Sequence, residues 1–158
     1  MSGGTPATVA LDRAGVGYTL HPYAHDSRAG SYGDEAAALL GIDPRRMFKT
    51  LIAAVDSRLV CAVVPVASRL NLKALASAAG GRRADLADPA RAQRVTGYLI
   101  GGISPLGHKS PMPVLVDSSV TGFDTVFVSA GKRGLQVELA PGDLLRLSGA
   151  STAPIATG

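Results

Sequence analysis

The 158-residue sequence has a single cysteine and no tryptophan, and aromatic side chains make up only 4% of it. One thiol, Cys61, excludes an intramolecular disulfide and any multi-cysteine zinc site. It sits between Val60 and Ala62, where a buried, inert thiol is expected rather than a nucleophile. No stretch approaches the roughly 18–20 consecutive apolar residues that cross a bilayer, so no membrane partner is expected. The opening Met1-Ser2-Gly3-Gly4-Thr5-Pro6 has neither a basic leader nor an apolar core, and no secretory signal is expected there. A cytoplasmic location follows as the expectation. Missing too are a G-x-G-x-x-G before a helix, a G-x-x-x-x-G-K-[ST], an H-E-x-x-H and a G-x-S-x-G elbow. His21 and His25 stand four apart beside Asp26 without a third ligand, so no metal and no cofactor is expected.

The chain is 46% hydrophobic and 18% charged, too apolar for intrinsic disorder. Sixteen Lys and Arg against twelve Asp and Glu leave a net charge of +4 and a pI near 9.6. That balance favours an acidic or phosphorylated partner. Twelve of the sixteen cations are Arg, which suits phosphate recognition, although GC-rich coding gives the same excess. They are scattered, with pairs at Arg45-Arg46, Arg82-Arg83 and Lys132-Arg133 but no long run, so DNA is not an expected partner.

Thr5, Pro6 and Gly15 bracket a helix over Ala7–Ala14, and Tyr18–Tyr23 alternates like an edge strand. Turn chemistry follows from His25 to Gly33, then a helix from Asp34-Glu35 to the stop at Gly41. Asp43-Pro44 reads as a further cap. Phe48–Val55 and Leu59–Val66 form an economical hairpin about Asp56-Ser57-Arg58. Helices are expected over Asn71–Ala79, from Asp88-Pro89 to about Arg94, and over Pro141–Leu147. Strands are expected at Tyr98–Ile100, Val114–Val116, Thr125–Val128 and Leu135–Leu139. With no repeat, linker or composition break, the chain reads as one α+β domain with a core over about 5–149 and a frayed tail from 150 to 158. Consecutive strands without long intervening helices predict a mixed, strongly curved sheet with helices packed outside.

Three stretches carry residue types that core packing alone does not demand. Phe48-Lys49-Thr50 places a cation at the head of an apolar strand, with Phe48, Thr50 and Ile52 on one face and Lys49 and Leu51 on the other. Such a lysine either snorkels to a rim or points into a solvated cleft. Thr96-Gly97-Tyr98-Leu99-Ile100-Gly101-Gly102-Ile103-Ser104-Pro105-Leu106-Gly107 has four glycines, which let backbone N–H groups approach an anion or oxyanion, or simply make a turn and a bulge. Ser129-Ala130-Gly131-Lys132-Arg133-Gly134-Leu135 holds two cations between glycines, as a phosphate clamp or as a hairpin turn.

In this order and spacing the three stretches resemble the YbaK/EbsC family, free-standing relatives of the editing domain inserted in bacterial prolyl-tRNA synthetases. The resemblance runs from about Thr5 to Leu147 and includes Tyr23-Ala24-His25-Asp26, Tyr32-Gly33-Asp34-Glu35, Asp88-Pro89 and Ala92-Gln93-Arg94. It implies a barrel-like mixed sheet surrounded by helices, and a trans-editing deacylase that removes cysteine from Cys-tRNA(Pro) and Cys-tRNA(Cys), recognising the aminoacyl-tRNA 3′ end. Selection of the tRNA is then left to a partner prolyl-tRNA synthetase. The family's essential lysine falls on Lys49, and its pocket positions on Tyr23, Tyr32, Thr50, Gly101, Gly102 and Ser129. Its small-residue loop matches Gly131 to Gly134, with Lys132 and Arg133 as substrate-binding candidates. Where the nearest deacylases carry aspartate this chain has Gln136, with Glu138 two residues on, and Tyr32 replaces a common phenylalanine. Gly101 and Gly102 would offer N–H groups to the ester carbonyl as charge develops there. No serine has a plausible His–Asp pair, so the resemblance implies that the substrate thiol attacks its own ester. The competing readings are editing of Ala-tRNA(Pro) or another small aminoacyl-tRNA, and a non-catalytic module that holds a tRNA 3′ end or a nucleotide.

Overall fold

The computed structural model describes residues 4–26 and 32–158. The middle of the turn expected between His25 and Gly33 lies outside the described residues. Helix α1, Pro6–Ala14, starts on a reciprocal cap in which Thr5 Oγ1 accepts from the Thr8 N–H and Thr8 Oγ1 accepts from the Thr5 N–H. Thr5 Oγ1 also donates to the Ala130 carbonyl at 2.5 Å, which ties the helix start to a distant strand. Strand β1, Thr19–Pro22, follows. Helix α2, Tyr32–Leu40, begins two residues before the acidic pair that the sequence marks as its start. At Asp43-Pro44 the expected cap begins no helix: Asp43 accepts from the Arg46 N–H and closes a turn.

Strands β2, Phe48–Val55, and β3, Arg58–Pro65, form the expected antiparallel hairpin. Asp56 takes the turn at φ +55°, in the left-handed region that Asp tolerates better than most residues. Next come β4, Arg69–Leu70, then α3, Leu72–Ala78, capped by Asn71, and β5, Ala84–Leu86. Helix α4, Pro89–Thr96, ends at Gly97, φ +82°. The rest is β6, Val114–Asp117; a 3-10 turn, Ser118–Gly122; β7, Val126–Lys132; β8, Leu135–Leu139; α5, Pro141–Ser148; β9, Ser151–Ala153; and β10, Ala156–Thr157.

The strands make a five-stranded sheet, β5-β2-β3-β6-β9, a three-stranded antiparallel sheet, β1-β8-β7, and the pair β10-β4. The larger sheet is mixed as expected, antiparallel through β5, β2 and β3 and parallel through β3, β6 and β9. The expected barrel closure is not formed. Among the described residues only the Met47–Phe127 bridge joins the two larger sheets by strand pairing. A bulge between Ser129 and Lys132 interrupts β7, and β5 is too short to extend the wall. Phe48, Ile52, Val63, Val116, Val128 and Val137 fill the core between the sheets. A second core packs Val55, Val64, Leu75 and Ile155 beneath α3.

Two further expectations are corrected. Tyr98–Ile100 is a loop, not a strand: the Tyr98 hydroxyl donates to the Leu106 carbonyl at 2.7 Å, and the Gly102 N–H closes a turn on Leu99. The tail is not frayed. β9 extends the large sheet beside β6, and Ile155 is fully buried. Its anchor is Asp117, whose Oδ1 accepts the N–H groups of Ile155 and Ala156, both at 3.0 Å. Polar, small residues hide that anchor from a sequence reading.

Candidate active site

A cleft of about 350 Å³ opens where the two sheets fail to close. Its size lies in the range of small-ligand sites, and its walls are mostly apolar. One wall is the first half of β2, Phe48 to Ile52. Ile52 still reaches the neighbouring segment, accepting from the Ala87 N–H at 2.9 Å, but β5 pairs only with Ala53–Val55. The edge of β2 over Lys49–Leu51 is therefore left without a strand partner on that side, among the described residues. Strand alternation sends the Thr50 backbone groups to the same edge as those of Ile52.

Lys49 lies where this cleft meets a second groove lined by Asp34, Ser68, Arg69 and Thr157. It is half-buried and makes no ion pair or hydrogen bond among the described residues. An ammonium so placed is available to a ligand. Next to it, the Thr50 hydroxyl is buried without a hydrogen-bond partner among the described residues.

The opposite wall comes from the smaller sheet. Ser129 and Gln136 are direct cross-strand neighbours on β7 and β8, and both line the cleft. Gln136 is 6% exposed, and its Oε1 has no partner among the described residues. Buried polar atoms are almost always hydrogen-bonded, so two orphans lining one cleft mark it as a place for a polar ligand. Ser129 Oγ already accepts from the Gly131 N–H at 3.2 Å. Among the described residues no histidine or carboxylate lines the cleft, so neither the Ser129 nor the Thr50 hydroxyl has a histidine or carboxylate base beside it there.

Tyr32 and Gly101 form the rim. Gly101, at φ +88°, lies so close under the Tyr32 ring that a Cβ would come within 2.6 Å of it. The Arg133 guanidinium stacks 4.9 Å from the same ring and donates from Nε to the Ile100 carbonyl at 2.7 Å. Beneath Tyr32, His25 Nδ1 and Glu35 Oε1 are 2.7 Å apart, and the Asp26 N–H donates to Glu35 Oε2. These bonds hold the Glu35 carboxyl below its usual range, the His25 bond most of all.

Lys49, Thr50, Tyr32, Gly101, Ser129 and Gln136 thus meet at one cleft. The other sequence candidates do not line it. Tyr23 packs behind it near Met47 and Phe127, with its N–H on the Gly134 carbonyl. Gly102 lies against the Lys132–Arg133 backbone, and its N–H is spent on Leu99, which removes it as an oxyanion donor. Gly131 packs under Tyr98, and Lys132 is exposed at the end of β7. Cys61 is fully buried, and desolvation pushes its thiol far above the ordinary range. Sequence reasoning missed Gly33, where a Cβ would press on Val66 at 2.8 Å, and Gln93, whose Oε1 accepts from the Ile100 N–H. In the sequence Gly33 reads as the end of a turn with the helix beginning after it, so its place inside α2 was not legible. Nothing local marked the second.

The aminoacyl-tRNA editing domain family matches residues 28–147. The chain is 38% identical over 125 residues to EbsC of Enterococcus faecalis, a candidate Cys-tRNA(Pro)/Cys-tRNA(Cys) deacylase, covering 78% of this chain and 76% of that one. It is 32% identical over 90 residues to the multifunctional Ser/Thr-tRNA deacylase ProXp-y of Escherichia coli, covering 56% and 54% respectively. The crystal structure of a candidate trans-editing enzyme for prolyl-tRNA synthetase superposes with a TM-score of 0.85 at 27% identity, over 97% of this chain and 96% of that one. The chain belongs to the aminoacyl-tRNA editing domain family, in its YbaK/ProX branch of trans-editing deacylases. Among the described residues no helix is long and apolar enough to cross a membrane.

Proposed function

We propose that the cleft deacylates cysteine esterified to tRNA(Pro), and to tRNA(Cys), with Lys49, Thr50, Gly101 and Gln136 as the residues that meet the substrate. The observation that carries this reading is the pair of orphaned polar atoms, Thr50 Oγ1 and Gln136 Oε1, in an apolar cleft beside an unpaired lysine. An aminoacyl ester brings an ammonium group, a carbonyl and a ribose hydroxyl as leaving group. Gln136 Oε1, a pure acceptor, suits the ammonium. The Gly101 N–H suits the carbonyl oxygen, where charge develops as it is attacked. Lys49 suits the ribose end and the phosphate that follows it.

The cleft offers no activated nucleophile, and this supports attack by the substrate. The cysteine thiol, with a reference pKa of about 8.5, is a few per cent ionised near neutrality. Its sulfur forms a bond to the ester carbonyl carbon, the ester C–O bond breaks, and the thiol proton ends on the departing ribose oxygen. The protein then needs only to hold the reactive conformer and stabilise the oxyanion. In this reading a prolyl-tRNA synthetase selects the tRNA. The test mixes the purified protein with Cys-, Ser-, Ala- and Pro-charged tRNA(Pro) and follows loss of the ester. Cleavage of the Cys ester alone is expected; four stable esters would leave a binding module and overturn the proposal.

A further inference from the structure

Three hydrogen bonds fix the backbone around Gly101. The Ile100 N–H donates to Gln93 Oε1 at 2.9 Å, the Gly102 N–H donates to the Leu99 carbonyl at 2.9 Å, and Arg133 Nε donates to the Ile100 carbonyl at 2.7 Å. None of them uses the Gly101 N–H, which has no acceptor among the described residues. The Ile100 carbonyl and the Gly101 N–H belong to one planar trans peptide, so they point to opposite sides. Whatever holds the carbonyl therefore aims the N–H. A cationic donor on that carbonyl also polarises the peptide and makes its N–H a better donor. Arg133 is itself held, because its guanidinium stacks on Tyr32 and that ring rests on Gly101.

We infer that Arg133 is a positioning residue: it locks the Ile100–Gly101 peptide so that the Gly101 N–H faces the ester carbonyl oxygen of the substrate. Gln93 secures the preceding peptide by accepting from the Ile100 N–H. Arg133, though exposed, is thus committed at the rim to Ile100 and Tyr32 rather than free to clamp a tRNA phosphate, the role that its glycine-flanked turn suggests. The inference rests on the reading of the cleft as a deacylase site, and two readouts separate them.

The first needs no activity. In the 15N-labelled protein without tRNA, Arg133→Ala is expected to shift and broaden the Gly101 amide resonance while resonances outside the loop stay in place. An unmoved Gly101 amide overturns the inference. The second uses Cys-tRNA(Pro) at several salt concentrations. Arg133→Ala is expected to lower kcat by about tenfold to a hundredfold, with KM and its salt dependence kept, because a misaimed donor acts on the transition state. Guanidinium ion added to that variant should restore part of the rate. Arg133→Lys keeps the charge but not the planar fork, and should keep the wild-type salt slope while remaining slow. A raised KM with an unchanged kcat and a salt slope smaller by about one makes Arg133 a phosphate contact and overturns the inference. Full activity in Arg133→Lys does the same. If the wild type cleaves no charged tRNA, the deacylase reading falls, and the amide spectrum still decides the role of Arg133.

Discussion

At the residue scale, the fold leaves polar atoms unused in the cleft. Lys49 has no counter-ion among the described residues, and Thr50 Oγ1 and Gln136 Oε1 are orphaned. Lys49→Ala should lower kcat/KM for Cys-tRNA(Pro) by at least about a hundredfold, the loss of a group that stabilises developing charge. Because no internal bond is lost, its unfolding free energy should stay within about 1 kcal/mol of wild type in a urea titration. Wild-type turnover in this variant would remove Lys49 from the site. Gly101→Ala carries two burdens. Its φ of +88° is strained for any residue with a Cβ, and that Cβ would push the Tyr32 ring away. A stability loss of about 1–3 kcal/mol is expected from the backbone alone, with a fall in turnover that remains at temperatures where the variant is fully folded. Full turnover in the folded variant would exclude this peptide from catalysis.

At the element scale, the C-terminal strands and the ionic cluster on β8 tie distant parts of the chain together. Ile155 is fully buried against the core beneath α3, so Ile155→Ala should cost about 2–5 kcal/mol by urea denaturation. A frayed tail would give a change below about 0.5 kcal/mol. Glu138 on β8 accepts from Thr125 Oγ1 at 2.5 Å, pairs with His21 at 2.8 Å and meets Arg46 at 3.1 Å. The Thr125 bond, then His21 and Arg46, hold its carboxyl below the usual value against some desolvation. A carboxylate depressed in the folded state contributes stability above its unfolded pKa and loses it as pH falls through the folded one. Thermal unfolding followed from about pH 6 to about pH 3 should thus show a steeper loss in wild type than in Glu138→Gln. Parallel curves would mean that the cluster adds nothing.

At the scale of the whole molecule, local signals carried most of the elements and contact order hid the rest. The caps at Thr5 and Gly15, the β2–β3 hairpin and the proline-started helices were legible because each is written within a few residues. Lys49, Thr50, Gly101, Ser129 and Gln136 were named from the sequence, and they do line one cleft. What failed depends on pairing between distant residues. Sheet closure turns on whether β7 can follow β2 past Met47–Phe127, and the bulge after Ser129 decides against it. The tail's fate turns on Asp117, some forty residues earlier. Gly102 looked as suitable a donor as Gly101 until the Leu99 turn was seen to consume its N–H. Among the described residues, the unpaired stretch of β2 over Lys49–Leu51 lies along the cleft that holds the set.

In the proposed reaction the substrate, not the protein, supplies the nucleophile. One tRNA charged in parallel with cysteine and with serine tests it most directly, since the two esters differ by a sulfur for an oxygen. A hydroxyl is far less ionised than a thiol at neutral pH, so loss of the Cys ester with survival of the Ser ester is predicted. Equal cleavage of both would show that the thiol is dispensable and that a bound water or a protein group makes the attack.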